Sequence, residues 1–102
     1  MNSARLVIDG LHHIDGLVPV DCDAPVGTRG LQFSVWGTLA AIQQATSELI
    51  GGRTLATVNG ERVHIVANSV VEVDHPDSHQ INVTASFIKS GDIDRYVDTK
   101  GK

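Results

Sequence analysis

One segment of the chain carries a helical period, and the segments around it alternate. From Leu39 the apolar residues fall at 39, 42, 45 or 46, 49 and 50, with Ala40, Ala41, Gln43, Gln44 and Glu48 as good helix formers between them. Thr38 is the expected N-cap, and Gly51-Gly52 suits a left-handed C-cap. The spacing predicts a single helix over about residues 38–50. Before it, Leu31, Phe33 and Val35 alternate with Gln32 and Ser34. After it, Ile81, Val83, Ala85 and Phe87 alternate with Asn82, Thr84 and Ser86. A period of two with one apolar face is a strand. A lone helix set inside a run of antiparallel strands predicts a mainly β (α+β) fold. The expected architecture is a small antiparallel β-barrel or curved sheet whose one helix plugs an open side.

The remaining strands follow from turn chemistry. Thr54–Val58, Asn59-Gly60 and Glu61–Ala67 read as a β-hairpin, because Asn-Gly tolerates the positive φ that a type I′ turn demands at both positions. Pairing about that turn sets Ala56 opposite Val63 and Thr54 opposite Ile65. The other face then carries Leu55, His64, Thr57 and Arg62 and is half wet. Leu6–Ile8 and Leu17–Val20 are strand material, separated by the turn dipeptides Asp9-Gly10 and Asp15-Gly16. Pro19 assigns the second piece to an edge or a strand end. Residues 21–30, with Pro25, Gly27, Gly30 and two Asp, predict a long loop. Val70–Val73 predicts a short strand, and 74–80, around Pro76, a polar loop. The expected organisation is one barrel domain over 1–89 and a polar tail over 90–102, in which only Ile93, Tyr96 and Val97 can pack. Such a tail frays alone and is expected to dock on a partner.

Size and charge exclude several roles. A chain of 102 residues supports one domain and leaves no room for separate catalytic and binding domains. Surface scaling gives burial of roughly 65% of the unfolded chain's area on folding. With only four aromatic residues, the core must be aliphatic. The net charge is −4, and five Arg and three Lys are scattered without a run. That lacks the basic patch of a nucleic-acid binder and disfavours an anionic membrane surface. No apolar stretch approaches the roughly 20 residues of a membrane span. Cys22 is the only cysteine, so no intrachain disulfide forms, and a free thiol fits a reducing compartment. Leu6–Ile8 is cut short by Asp9, which does not read as a signal peptide, so synthesis and folding in a cytoplasm are expected.

Candidate chemistry is sparse. His75, Asp77 and His79 could supply three ligands to a divalent ion. But Asp, Pro, Ser and His are ordinary loop residues and a ligand triplet on a flexible tip is rarely preorganised, so a solvated hairpin loop is the expected reading. His12 and His13, if in a strand, would face opposite sides and cannot easily share an ion. Asp92, Asp94 and Asp98 begin like a calcium loop but lack its central Gly and terminal Glu. Asp21 and Asp23 flank Cys22, and their charge raises a thiol pKa, which argues against a nucleophile. No Gly-x-Ser-x-Gly elbow and no phosphate-loop or dinucleotide spacing occurs. Neither catalysis nor a cofactor is expected. Trp36 either seals the helix end against the barrel or anchors an interface.

The stretch 31–66 runs from Leu31-Gln-Phe-Ser-Val-Trp36 through the helix and the Gly52-Arg53 step into the Asn59-Gly60 hairpin. It resembles small tail-tube or baseplate-associated proteins of tailed bacteriophages, with a closing strand like Ile81–Ile88 near the C-terminus. The resemblance implies a split-barrel-like fold, ring assembly around a tail axis, no catalysis, and partners that are copies of itself and other virion tail proteins. It also implies location in the virion tail. The interface residues expected are Asp21, Asp23, Arg29, Trp36, His75, Asp77, Asp92, Asp94, Arg95 and Tyr96, from the 21–30 loop, the strand end, the 74–80 loop and the tail. The alternative is a small ligand- or metal-binding β-barrel module.

Overall fold

The computed structural model describes residues 2–74 and 78–89. Six strands and one helix follow in order: β1 (Ser3–Val7), β2 (Asp21–Gly27), β3 (Gly30–Gly37), α1 (Leu39–Gly51), β4 (Thr54–Val58), β5 (Glu61–Asp74) and β6 (His79–Lys89). A 3-10 turn, Asp9–Leu11, opens the connection from β1 to β2. The strands close an antiparallel barrel in the order β1-β2-β3-β6-β5-β4. The mainly β architecture with one inserted helix is the one the periodicity predicts.

The helix forms as its caps dictate. Thr38 Oγ1 accepts the Ala41 N–H at 3.2 Å, and Gly52 takes the left-handed conformation with its N–H on the Leu49 carbonyl. Ala41, Ile42, Ala45 and Leu49 face the core. The apolar stripe is narrower than the sequence spacing suggests: Leu39 and Ile50 are 50% and 60% exposed. Helix α1 packs against β5, β3, β6 and β4, and its buried residues join Leu6, Ile8, Leu31, Val35, Val63, Ile65, Ile81 and Val83 in a single, mostly aliphatic core cluster. Burying each such side chain contributes about 1.5–3 kcal/mol.

The hairpin register is the expected one, with Ala56 opposite Val63 and Thr54 opposite Ile65. Asn59 and Gly60 both have positive φ, at 51° and 83°. The β5–β6 arm is much longer than the short Val70–Val73 strand expected, because a bulge at Asn68 carries pairing on to Asp74↔His79. The barrel closes where β1 meets β4 at only two pairs, Leu6↔Val58 and Val7↔Thr57. Asn59 reinforces that closure: its Oδ1 accepts the Arg5 N–H and its own N–H donates to the Arg5 carbonyl, both at 2.9 Å.

Two expectations about the N-terminal third are corrected. Residues 21–27 are strand β2, not loop; Ala24 lies fully buried and Asp21–Pro25 pair with β1. The turn that remains is just Thr28-Arg29. Conversely, Leu17–Val20 is not a regular strand: Leu17 makes a single bridge to Gly37. The 9–20 connection is held by backbone bonds, Thr38 N–H to the Gly16 carbonyl and Ile8 N–H to the Val20 carbonyl among them, and by side chains, with Arg62 Nη1 on Asp9 Oδ2 at 2.6 Å and His13 Nε2 on Glu48 Oε2 at 2.9 Å.

Candidate functional site: an open seam beside Trp36

β2 and β3 are neighbours that barely pair. Their ladder consists of Val26↔Leu31 and Gly27↔Gly30. The next partners in that register would be Pro25 and Gln32. Val26 N–H donates to the Asn2 carbonyl and Ile8 N–H to the Val20 carbonyl, so the even-numbered residues of β2 bond toward β1. The odd-numbered ones, Asp21, Asp23 and Pro25, point their backbone toward β3. Proline has no N–H to offer, and the ladder stops there. At the far end Val18 N–H donates to the Trp36 carbonyl at 2.8 Å, which rejoins the two segments in a different register. Between the joins, residues 19–25 face residues 32–35, so three additional residues arch outward on the β2 side.

The arch overhangs a cleft of about 640 Å³. Pro19, Asp21, Cys22, Asp23 and Pro25 form one wall, and the floor is the outer face of β3, β6 and β5. That floor carries Gln32 and Ser34 from β3, Asn82 and Thr84 from β6, and Ser69 and Val71 from β5. Its centre is a hydrogen-bonded cluster. Ser34 Oγ donates to Asn82 Oδ1 at 2.8 Å, and Gln80 Nε2 reaches both Asn82 Oδ1 at 2.7 Å and Ser34 Oγ at 3.2 Å. Gln80 is only 9% exposed, so its amide is held in place and orients the other two.

Trp36 stands at the mouth, 37% exposed. It borders this cleft and a second hollow of about 680 Å³ formed with Gly16, Val18, Thr38, Leu39, Ser78 and His79. Its placement at the end of β3 is the expected one, and its exposure there leaves it an edge of both hollows.

The other expected residues scatter. Asp21 and Asp23 are exposed on the outer face of β2, where the Arg5 guanidinium bonds Asp21 and sits 3.6 Å from Asp23. Arg29 is exposed in the two-residue turn, its carbonyl accepting from Asn68 Nδ2 at 3.1 Å. His79 opens β6 and is exposed. His75, Asp77, Asp92, Asp94, Arg95 and Tyr96 lie outside the described residues. Among the described residues no group of three or more His, Cys, Asp or Glu side chains is placed to hold a metal ion. His12 and His13 sit in turn structure after Leu11 rather than in a strand. The Cys22 thiol is pushed above its ordinary pKa, by burial first and by Asp23 and Asp21 as well, against the opposing pull of Arg5. The carboxylates thus act in the expected direction, but desolvation dominates.

Gln32, Ser34, Gln80, Asn82, Thr84 and the arch itself were not among the expected site residues. Their signal lies in the alternation: the solvent-side positions of these two strands carry amides and hydroxyls with no charge. The chain matches no protein-family model, and no curated protein or solved structure is detectably similar to it. Among the described residues no helix is long and apolar enough to cross a membrane.

Proposed function

We propose that this chain is a structural subunit that assembles with copies of itself into a ring, as a tail-tube or baseplate-associated component of a bacteriophage virion. The observation that carries the reading is a pair of apolar exposures at opposite ends of the barrel. At one end Val18 and Leu39 are 54% and 50% exposed beside Trp36. At the other, Phe87 is 45% exposed. Gln80 pairs with Trp36, and Phe87 lies seven residues further along β6, roughly 23 Å away at 3.3 Å per residue. Large apolar side chains standing together in solvent mark surfaces that bury against a partner. The two ends are unlike, a cluster of Val18, Leu39 and Trp36 at one and the single Phe87 at the other. Unlike ends favour head-to-tail over self-complementary contact, and head-to-tail contact closes into a ring when the rotation allows. The virion setting rests on the resemblance read in residues 31–66 alone.

Native mass measurement of the full chain tests this. The expected result is a closed oligomer for the wild type, and a shift to monomer for Val18→Ser and for Phe87→Ser. Both sites are exposed, so the variants should keep the wild-type circular dichroism. A wild-type chain that stays monomeric at high micromolar concentration overturns the reading.

A further inference from the structure

We infer that the cleft between the β2 arch and the β3–β6–β5 face is a binding site for a neutral saccharide. The first argument is compositional. Elsewhere the barrel's outer surface bears the usual ions: Arg5, Asp21 and Asp23 across β1 and β2, and Arg62 across from Asp9. Lys89 lies 3.4 Å from Glu61. The cleft floor breaks that habit. Gln32, Ser34, Trp36, Asn82, Thr84 and Ser69 bring amides, hydroxyls and one indole, with no charge among them. A solvated sheet face normally mixes charges of both signs.

The second argument is geometric. Amides and hydroxyls each offer both donors and acceptors, which is what a ring of sugar hydroxyls requires of its host. Here they are preorganised: the nearly buried Gln80 amide fixes Ser34 and Asn82, and Asn82, having used its Oδ1 in this cluster, keeps its NH2 donors. The volume, about 640 Å³, lies within the usual range for small-molecule clefts. Phe33, Val83, Val71 and Cys22 supply apolar contact between the polar groups. Trp36 borders the cleft, and the negative face of an indole suits the C–H side of a pyranose.

Charge then selects the class. No Lys or Arg lines the cleft, while Asp21 and Asp23 do. Arg5 is already engaged by Asp21 and Asp23, so that wall keeps a net negative charge and a phosphate or uronate would be disfavoured there. A neutral sugar meets no such penalty.

Trp36 is the only tryptophan, so its fluorescence reports the site directly. The full chain is titrated with cellohexaose, chitohexaose and mannohexaose, with trigalacturonate as the anionic control. The expected result is a saturable emission change with at least one neutral oligomer and none with trigalacturonate. Asn82→Ala, an exposed position, should weaken that binding about tenfold or more with the native mass and circular dichroism unchanged. Calorimetry on the same pairs separates binding from quenching. The inference is overturned if no neutral oligomer saturates up to about 10 mM, if trigalacturonate binds as well, or if Asn82→Ala binds like the wild type. Because Trp36 borders both the cleft and the Val18–Leu39 surface, calorimetry is repeated on the Val18→Ser chain, and binding retained there separates the saccharide site from the ring reading.

Discussion

Single residues decide two features that hold this barrel in shape. Asn59 serves twice: it takes the positive φ of the turn, and its side chain accepts the Arg5 N–H across the narrowest closure of the barrel. The first role is legible in the dipeptide Asn59-Gly60. The second is not, because Arg5 lies 54 positions away and nothing in the sequence shows that strands β1 and β4 meet. The two roles can be separated. Asn59→Gly keeps the turn's backbone freedom and loses the side-chain bond, so it should destabilise by about 1 kcal/mol in urea unfolding. A loss of several kcal/mol would mean that the closure itself fails. Gly30 is the complementary case. Its φ is +119°, and a Cβ there would stand 2.1 Å from the Ala85 carbonyl oxygen, so only glycine lets β3 start beside β6. Cys22, whose thiol burial pushes above its ordinary pKa against the pull of Arg5, lines the cleft between Asp21 and Asp23.

At the scale of elements, the helix and the hairpin were readable and β2 was not. Helix α1 carries its own caps and period, and the hairpin carries its own turn, so local chemistry suffices for both. Segment 21–27 looks like loop because Pro25, Gly27 and two Asp are poor strand residues. It becomes a strand because β1 offers a full ladder from Ser3↔Pro25 to Val7↔Asp21, and Ala24 fills a space in the core. Pro25 is tolerated since its missing N–H faces β3 rather than β1. The seam and the cleft are the consequence. Pro25→Thr supplies the missing donor opposite Gln32 and should lengthen the β2–β3 ladder. The expected outcome is increased protection of the Gln32 and Ser34 amides from hydrogen exchange, with weaker saccharide binding. Unchanged exchange would show that the three-residue arch, not the proline, holds the seam open. Along β5 the structure also guards an edge: beyond Ile65, where β4 ends its pairing, β5 carries the Asn68 bulge and the exposed Glu72 opposite buried Ile81. Both are devices that discourage stray strand pairing.

Across the whole molecule, the barrel spans residues 3–89 and keeps its core aliphatic, as four aromatics in 102 residues require. The tail over 90–102 lies outside the described residues. Deleting 90–102 should leave the barrel's circular dichroism and urea midpoint close to wild type while the native mass falls to that of a monomer. A truncated chain that still forms the full-size oligomer removes the tail from the interface. The sequence by itself determined what local physics controls: a period of 3.6 at 39–50 with caps at both ends, a period of two at 31–35 and 81–87, and a type I′ turn at 59–60. Apolar burial needs only those periods to place a helix among strands, and with them the class of fold. Tertiary structure alone decided how far each ladder runs and where the ladders fail. Register between β2 and β3 depends on which backbone groups β1 has already used, and that is a property of the closed barrel. The cleft, the arch over it and the amide cluster beneath all arise from that competition for hydrogen bonds, which no local stretch of the chain encodes.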